Sequence, residues 1–100
     1  MLCYAIIAED APGSLSRRLE ARAAHLERLH ELREHGRLLL AGPHPALDCE
    51  DPGDAGFTGS LIVAQFESLE AAEQWASDDP YRAAGVYANV RVKPLRKVLP

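Results

Sequence analysis

Apolar positions gather into four short runs separated by two charge-laced stretches and one loop-like segment. "LCYAIIA" (2–8), "RLLLAG" (37–42), "SLIVAQF" (60–66) and "VYANVRV" (86–92) have the length and apolar content of strands. Between the first two, Ser14 is placed to cap a long helix reaching about His35, with Gly36 as its stop. At about 100° per residue, Leu15, Leu19, Ala23, Leu26 and Leu29 form one stripe of that helix. Ser68 opens a second helix, "LEAAEQWAS", with Leu69, Ala72 and Ala76 on its apolar side. Asp78-Asp79-Pro80 stops it, because the residue before proline is driven out of the helical region. "PYRAAG" then supplies one more helical turn. Residues 43–59 are a long connection rich in proline and glycine.

The order β-α-β-β-α-β predicts an α+β fold of the ferredoxin-like sandwich type, one domain spanning 1–100. Both helices then cover one face of a four-stranded antiparallel sheet. The other face is predicted to be apolar as well: Cys3, Ala5 and Ile7 oppose Leu2, Tyr4 and Ile6, and Leu61 and Val63 oppose Ile62, Ala64 and Phe66. A sheet that is apolar on both sides needs cover on both. A homodimer joined sheet to sheet is the expectation.

Composition narrows the function. The net charge of −4 argues against a nucleic-acid partner. The arginines of "SRRLEARAAHLERLHELREHGR" are offset by glutamates, as on a solvated helix face. The apolar start "MLCYAII" is too short to span a membrane. Cys3 and Cys49 lack paired spacing and fit free thiols in a cytoplasmic protein.

Candidate chemistry is sparse. His25, His30 and His35 are spaced by five, so they point apart on a straight helix and do not converge on a metal. "GFTGS" has neither phosphate-loop nor dinucleotide spacing and reads as a turn into a strand; no cofactor motif is present. Arg22 falls inside the apolar stripe of the first helix and His25 on its flank, three residues apart on one face. On pattern alone, the plain reading is a hydrogen-bonded core histidine and an arginine whose head reaches water. Asp78 and Asp79 pose a similar choice between a helix stop and a carboxylate that orients a catalytic group.

"RAAHLERL" (22–29), "GRLLLAGPHPA" (36–46), "DPGDAGFTGS" (51–60), "FESLEAAEQWASDDPYRAAGVY" (66–87) and "VKPLRKV" (92–98), in this order, resemble the YciI family over nearly the whole chain. The resemblance implies a ferredoxin-like fold of the dimeric α+β barrel type and a site centred on a histidine and an aspartate, which fall on His25 and Asp79. It also implies that Arg22, Ser60 and Tyr81 border the pocket. His44 in "GPHPA" departs from the family pattern, either as a polar group at the pocket mouth or with no role. The implied function is cofactor-free general acid/base chemistry on a small, acidic organic substrate, by isomerisation, elimination or hydrolysis. In that scheme Arg22 would hold an anionic group. The alternative is a dimeric small-molecule-binding or accessory protein without catalysis, or a structural dimer module with no such site.

Overall fold

A computed structural model describes residues 1–100. The elements run β1 (Leu2–Asp10), α1 (Leu15–Glu34), β2 (Leu38–Pro45), β3 (Phe57–Phe66), α2 (Leu69–Ser77), α3 (Pro80–Ala83) and β4 (Tyr87–Leu95). The strands form one antiparallel sheet in the order β2-β3-β1-β4. This is the ferredoxin-like β-α-β-β-α-β topology. Register puts Ile6 between Ile62 and Val92, so one face of the sheet carries Tyr4, Ile6, Ile62, Ala64 and Phe66. Leu29 and Leu32 of α1 and Ala72 and Ala76 of α2 close the core over that face.

All four strands are longer than the pattern predicts, and two of the extensions reshape the connection between β2 and β3. β2 runs on through Pro43 to Pro45, and β3 begins at Phe57, so the expected 43–59 connection shrinks to 46–56. β2 is an edge strand, where proline does not break the ladder. In "GFTGS", Gly56 (φ 73°) makes the expected turn into the strand, whereas Gly59 lies inside β3 opposite Glu9. A Cβ there would collide with the Ala8 carbonyl oxygen, so only glycine lets β3 approach β1 this closely.

The inward stripe of α1 is corrected as well. Leu19 is 60% exposed and Ala23 is exposed, whereas Arg18, His25, Leu29 and Leu32 are buried. An apolar stripe cannot register that two polar side chains have buried partners waiting for them. On α2, Leu69 is exposed at the N-terminal end and Trp75 packs against the core instead. Ser68 caps α2 through its side chain, which accepts from Ala71 N at 3.1 Å, while Ser14 makes no such bond at α1.

The opposite sheet face has no helix over it. Cys3, Ala5, Ile7 and Leu61 are half-buried there, and Leu40 is 50% exposed. No helix is long and apolar enough to cross a membrane.

Candidate active site

The adjacent aspartates at the end of α2 have different jobs. Asp78 is exposed and accepts from the Gln74 side chain. Asp79 is extended (φ −60°, ψ 130°), which turns its side chain inward, and it is almost completely buried. Pro80 occupies the first position of α3, where its missing N–H costs nothing. Asp79 Oδ1 accepts from Tyr81 N at 2.9 Å, capping α3. The same carboxylate meets His25: Nδ1 lies 2.9 Å from both Oδ1 and Oδ2. The short turn between α2 and α3 therefore aims a carboxylate at the middle of α1.

This contact places the proton of a neutral His25 on Nδ1, where it donates to Asp79, and leaves the lone pair on Nε2. Nε2 has no partner within the protein. The imidazole is further fixed by the Tyr81 ring, stacked at 4.0 Å and 15°.

Two turns before His25, Arg18 occupies a second buried polar position. Its Nε and Nη2 donate to Asp10 Oδ2 and Oδ1, both at 2.8 Å. Nη2 also donates to Ser60 Oγ at 3.0 Å and to Gly59 O at 3.2 Å. Three rings surround the guanidinium, with Cζ 4.7 Å from the Tyr81 centroid, 5.5 Å from Phe57 and 5.9 Å from Tyr87. Burial works against the charge of Arg18, but hydrogen bonding and attraction to Asp10 outweigh it and raise its pKa. Burial pushes the Tyr81 phenol up, partly opposed by Arg18. It pushes Tyr87 up much further. The Tyr87 hydroxyl lies buried near Ser60 without a hydrogen bond of ordinary geometry.

His25, Arg18, Ser60 and Tyr81 all line one cavity of about 570 Å³ between α1, β2, β3 and the 46–56 connection. Leu26, Leu29 and Ile62 give it an apolar end, and Phe57 adds an aromatic wall. Arg22 and Leu19 stand at its rim; Arg22 is exposed and makes no ion pair. Asp51 and Asp54 contribute from the 46–56 connection. Asp79 lies behind His25 rather than on the wall, and His44 is exposed outside the cavity. No three His, Cys, Asp or Glu side chains gather closely enough to hold a metal ion. Cys3 and Cys49 are unpaired.

Of the site residues expected from sequence, His25 and Asp79 meet directly, and Arg22, Ser60 and Tyr81 share the cavity with His25. Asp10 and Arg18 were not anticipated. The available signal was spacing: Arg18 is seven residues, two full turns, before His25 and so lies on the same helix face.

Comparison with known proteins agrees with this architecture. The YCII-related domain matches residues 2–96. The chain is 60% identical over 97 residues to Protein YciI of Escherichia coli, covering 97% of this chain and 99% of that one. It is 57% identical over 95 residues to a Haemophilus influenzae protein, covering 95% and 97% of the two chains. Among solved structures, the 5-chloro-2-hydroxyhydroquinone dehydrochlorinase of Burkholderia phenoliruptrix, complexed with 2,5-dihydroxybenzoquinone, superposes with a TM-score of 0.83 at 28% identity. That match covers 95% of this chain and 94% of the enzyme. An antibiotic biosynthesis monooxygenase shares the fold at a TM-score of 0.51 and 14% identity, covering 99% of this chain and all of that one.

Proposed function

The chain belongs to the YCII-related domain family, and we propose that it is a small-molecule enzyme in which His25, oriented by Asp79, moves a proton on a small acidic substrate. The observation that carries this reading is the contact itself: the Asp79 carboxylate occupies Nδ1 while the ring borders a cavity large enough for an organic acid. A carboxylate on one imidazole nitrogen raises the basicity of the other, which suits a general base. Arg22, a rim cation without an ion-pair partner, is suited to an anionic group on the substrate, and Ser60 and Tyr81 border the reacting region. The dehydrochlorinase, similar over nearly the full length, makes elimination the favoured reaction class, ahead of isomerisation and hydrolysis.

The uncovered sheet face supports a homodimer packed sheet to sheet, since half-buried Ile7 and Leu61 are joined there by the exposed Leu40. Sedimentation at micromolar concentration should show a dimer. The free thiols fit a cytoplasmic setting.

The test of catalysis is a turnover screen of small acids, lactones and halogenated hydroxyquinols with wild type and His25→Ala. Loss of a general base should lower kcat about 10²–10⁴-fold. Turnover that survives in His25→Ala would remove the dyad from the chemistry and leave binding as the function of the cavity.

A further inference from the structure

The proposed dyad accounts for one end of the cavity and leaves Arg18 and Ser60 without a role. We propose that Arg18 and Ser60 form a fixed pair of hydrogen-bond donors that receives the substrate oxygen on which negative charge develops as His25 removes a proton, so that the substrate is a hydroxyaryl or enolisable carbonyl compound of ring size. This rests on the reading of His25 as the base and extends it to the other end of the site.

The first argument is the hydrogen-bond inventory. Arg18 uses Nε and Nη2 on Asp10, Gly59 and Ser60, which leaves Nη1 with no hydrogen bond of ordinary geometry, beside the Tyr81 hydroxyl, on a side chain that lines the cavity. Ser60 Oγ accepts from Arg18 and keeps its own O–H to donate, with the cavity and the nearby Tyr87 hydroxyl as the two directions open to it. Both donors are locked in place before any ligand arrives: Arg18 by a two-point ion pair inside three aromatic rings, Ser60 by the β3 backbone. Donors that need no reorganisation are the ones that stabilise charge as it appears.

The second argument is charge. Asp10 already neutralises Arg18, so the pair presents directed N–H dipoles rather than a free cation. Such a group gains little from an ordinary carboxylate in the ground state and more from an oxygen becoming an enolate or phenolate. Arg22 at the rim, which makes no ion pair, is the better ground-state anchor. The two arginines thus divide binding from chemistry.

The third argument is spacing. Arg18 and His25 are two helical turns apart, roughly 10 Å along α1. The Tyr81 ring fills that gap, 4.7 Å from one and 4.0 Å from the other. A ligand touching both must lie along the edge of Tyr81. Two hydrogen bonds of about 3 Å take up most of the span, and the remainder fits a substituted ring or a short conjugated chain. Leu26, Leu29, Ile62 and Phe57 supply the apolar walls such a body requires. In the step itself, a C–H or O–H bond breaks, its proton goes to His25 Nε2, and its electron pair moves onto the oxygen held by Arg18 and Ser60. A leaving group on the carbon next to the deprotonated position then departs as an anion with its own bonding pair, while the pair on oxygen returns to form the new double bond; the proton on His25 and the anion are released to water. No oxidant or reductant is consumed.

The experiment uses 4-nitrophenol, whose visible absorbance separates phenol from phenolate, bound to the full-length protein across a pH series. In wild type the bound probe should ionise well below its free pKa, each donor contributing about one pH unit. Ser60→Ala and Arg18→Lys should each move the bound value back towards that of the free probe. Arg22→Ala should weaken binding and leave the bound value unchanged. Failure of wild type to bind the probe at millimolar concentration, or a bound pKa unaltered by Ser60→Ala, overturns the proposal. Ser60→Ala leaves the Asp10–Arg18 pair in place, so it decides the matter even if Arg18→Lys does not fold. If His25→Ala abolishes the shift and Ser60→Ala does not, the donor pair fails and the dyad stands. If Ser60→Ala abolishes it and turnover survives in His25→Ala, the donor pair stands and the dyad fails.

Discussion

Two buried polar pairs flank Tyr81, and they are built on opposite principles. His25–Asp79 joins an imidazole, which can donate from Nδ1 whether neutral or protonated, to a carboxylate whose Oδ1 also caps α3. Arg18–Asp10 joins a guanidinium to a carboxylate, linked at two points and held at side-chain exposures of 5% and 3%. The first pair can lose its charge and remain satisfied. The second cannot. One helix thus carries a switchable pair and a permanent pair, and the permanent one should carry the larger share of the stability.

Breaking the permanent pair should produce the largest loss of stability. Arg18→Ala or Asp10→Ala leaves a buried charge without its partner and should cost about 3–5 kcal/mol, read as a lowered Tm and urea midpoint. The double variant Asp10→Leu/Arg18→Met should recover much of that loss, because two apolar groups need no partner. Equal stability of the single and double variants would contradict the comparison.

At the switchable pair, Asp79→Asn should be milder in stability and severe in activity. The amide oxygen can still accept from Tyr81 N, so the cost should be about 1–2 kcal/mol. Its NH₂ favours the other tautomer of His25, placing N–H instead of a lone pair at Nε2. Turnover should fall about 10²–10⁴-fold, and His25→Ala/Asp79→Asn should be little worse than either single variant.

The phenols beside both pairs sharpen the contrast through pH. Burial raises the pKa of Tyr81 and Tyr87 in the folded state, while in the unfolded chain tyrosine ionises near 10. Above that pH the unfolded chain binds fewer protons than the folded one, so stability falls as pH rises; below it the contribution is fully present. Tyr87→Phe should flatten this alkaline decline. It should also raise stability at neutral pH by about 1 kcal/mol, because the hydroxyl it removes is buried and unbonded. Thermal melts from pH 7 to 11 test both effects. The smallest change is expected one residue beyond Arg18: Leu19→Ala, at a 60% exposed position, should cost less than about 0.5 kcal/mol.

The fold was largely legible because it follows from alternation and stop signals. The four apolar runs, Gly36 and Asp78-Asp79-Pro80 all mark real boundaries. Strand length was harder to read, since Pro43 and Pro45 look like loop residues until β2 is known to lie at the sheet edge. The helix stripe failed for a related reason. Hydrophobicity rewards Leu19 and penalises Arg18, and only long-range pairing with Asp10 and Ser60 reverses that order. Local pattern singles out His25 and Asp79 separately, one as an imidazole near a core stripe and the other as a carboxylate before proline, and only the family resemblance puts them in one site. Their contact spans 54 residues and no local pattern encodes it.

The crowding at Gly59 ties the fold to the site. Its missing side chain lets β3 come close to the Ala8 carbonyl, while its own carbonyl accepts from Arg18 and its neighbour Ser60 supplies the next acceptor. The crowded seam at Gly59 therefore adjoins the floor that Ser60 gives the cavity. Any change that widens the seam, even to alanine, would also pull the floor away from Arg18. At this position inheritance offers no separate route to a roomier sheet and to an altered pocket: a descendant must keep both or rebuild both together.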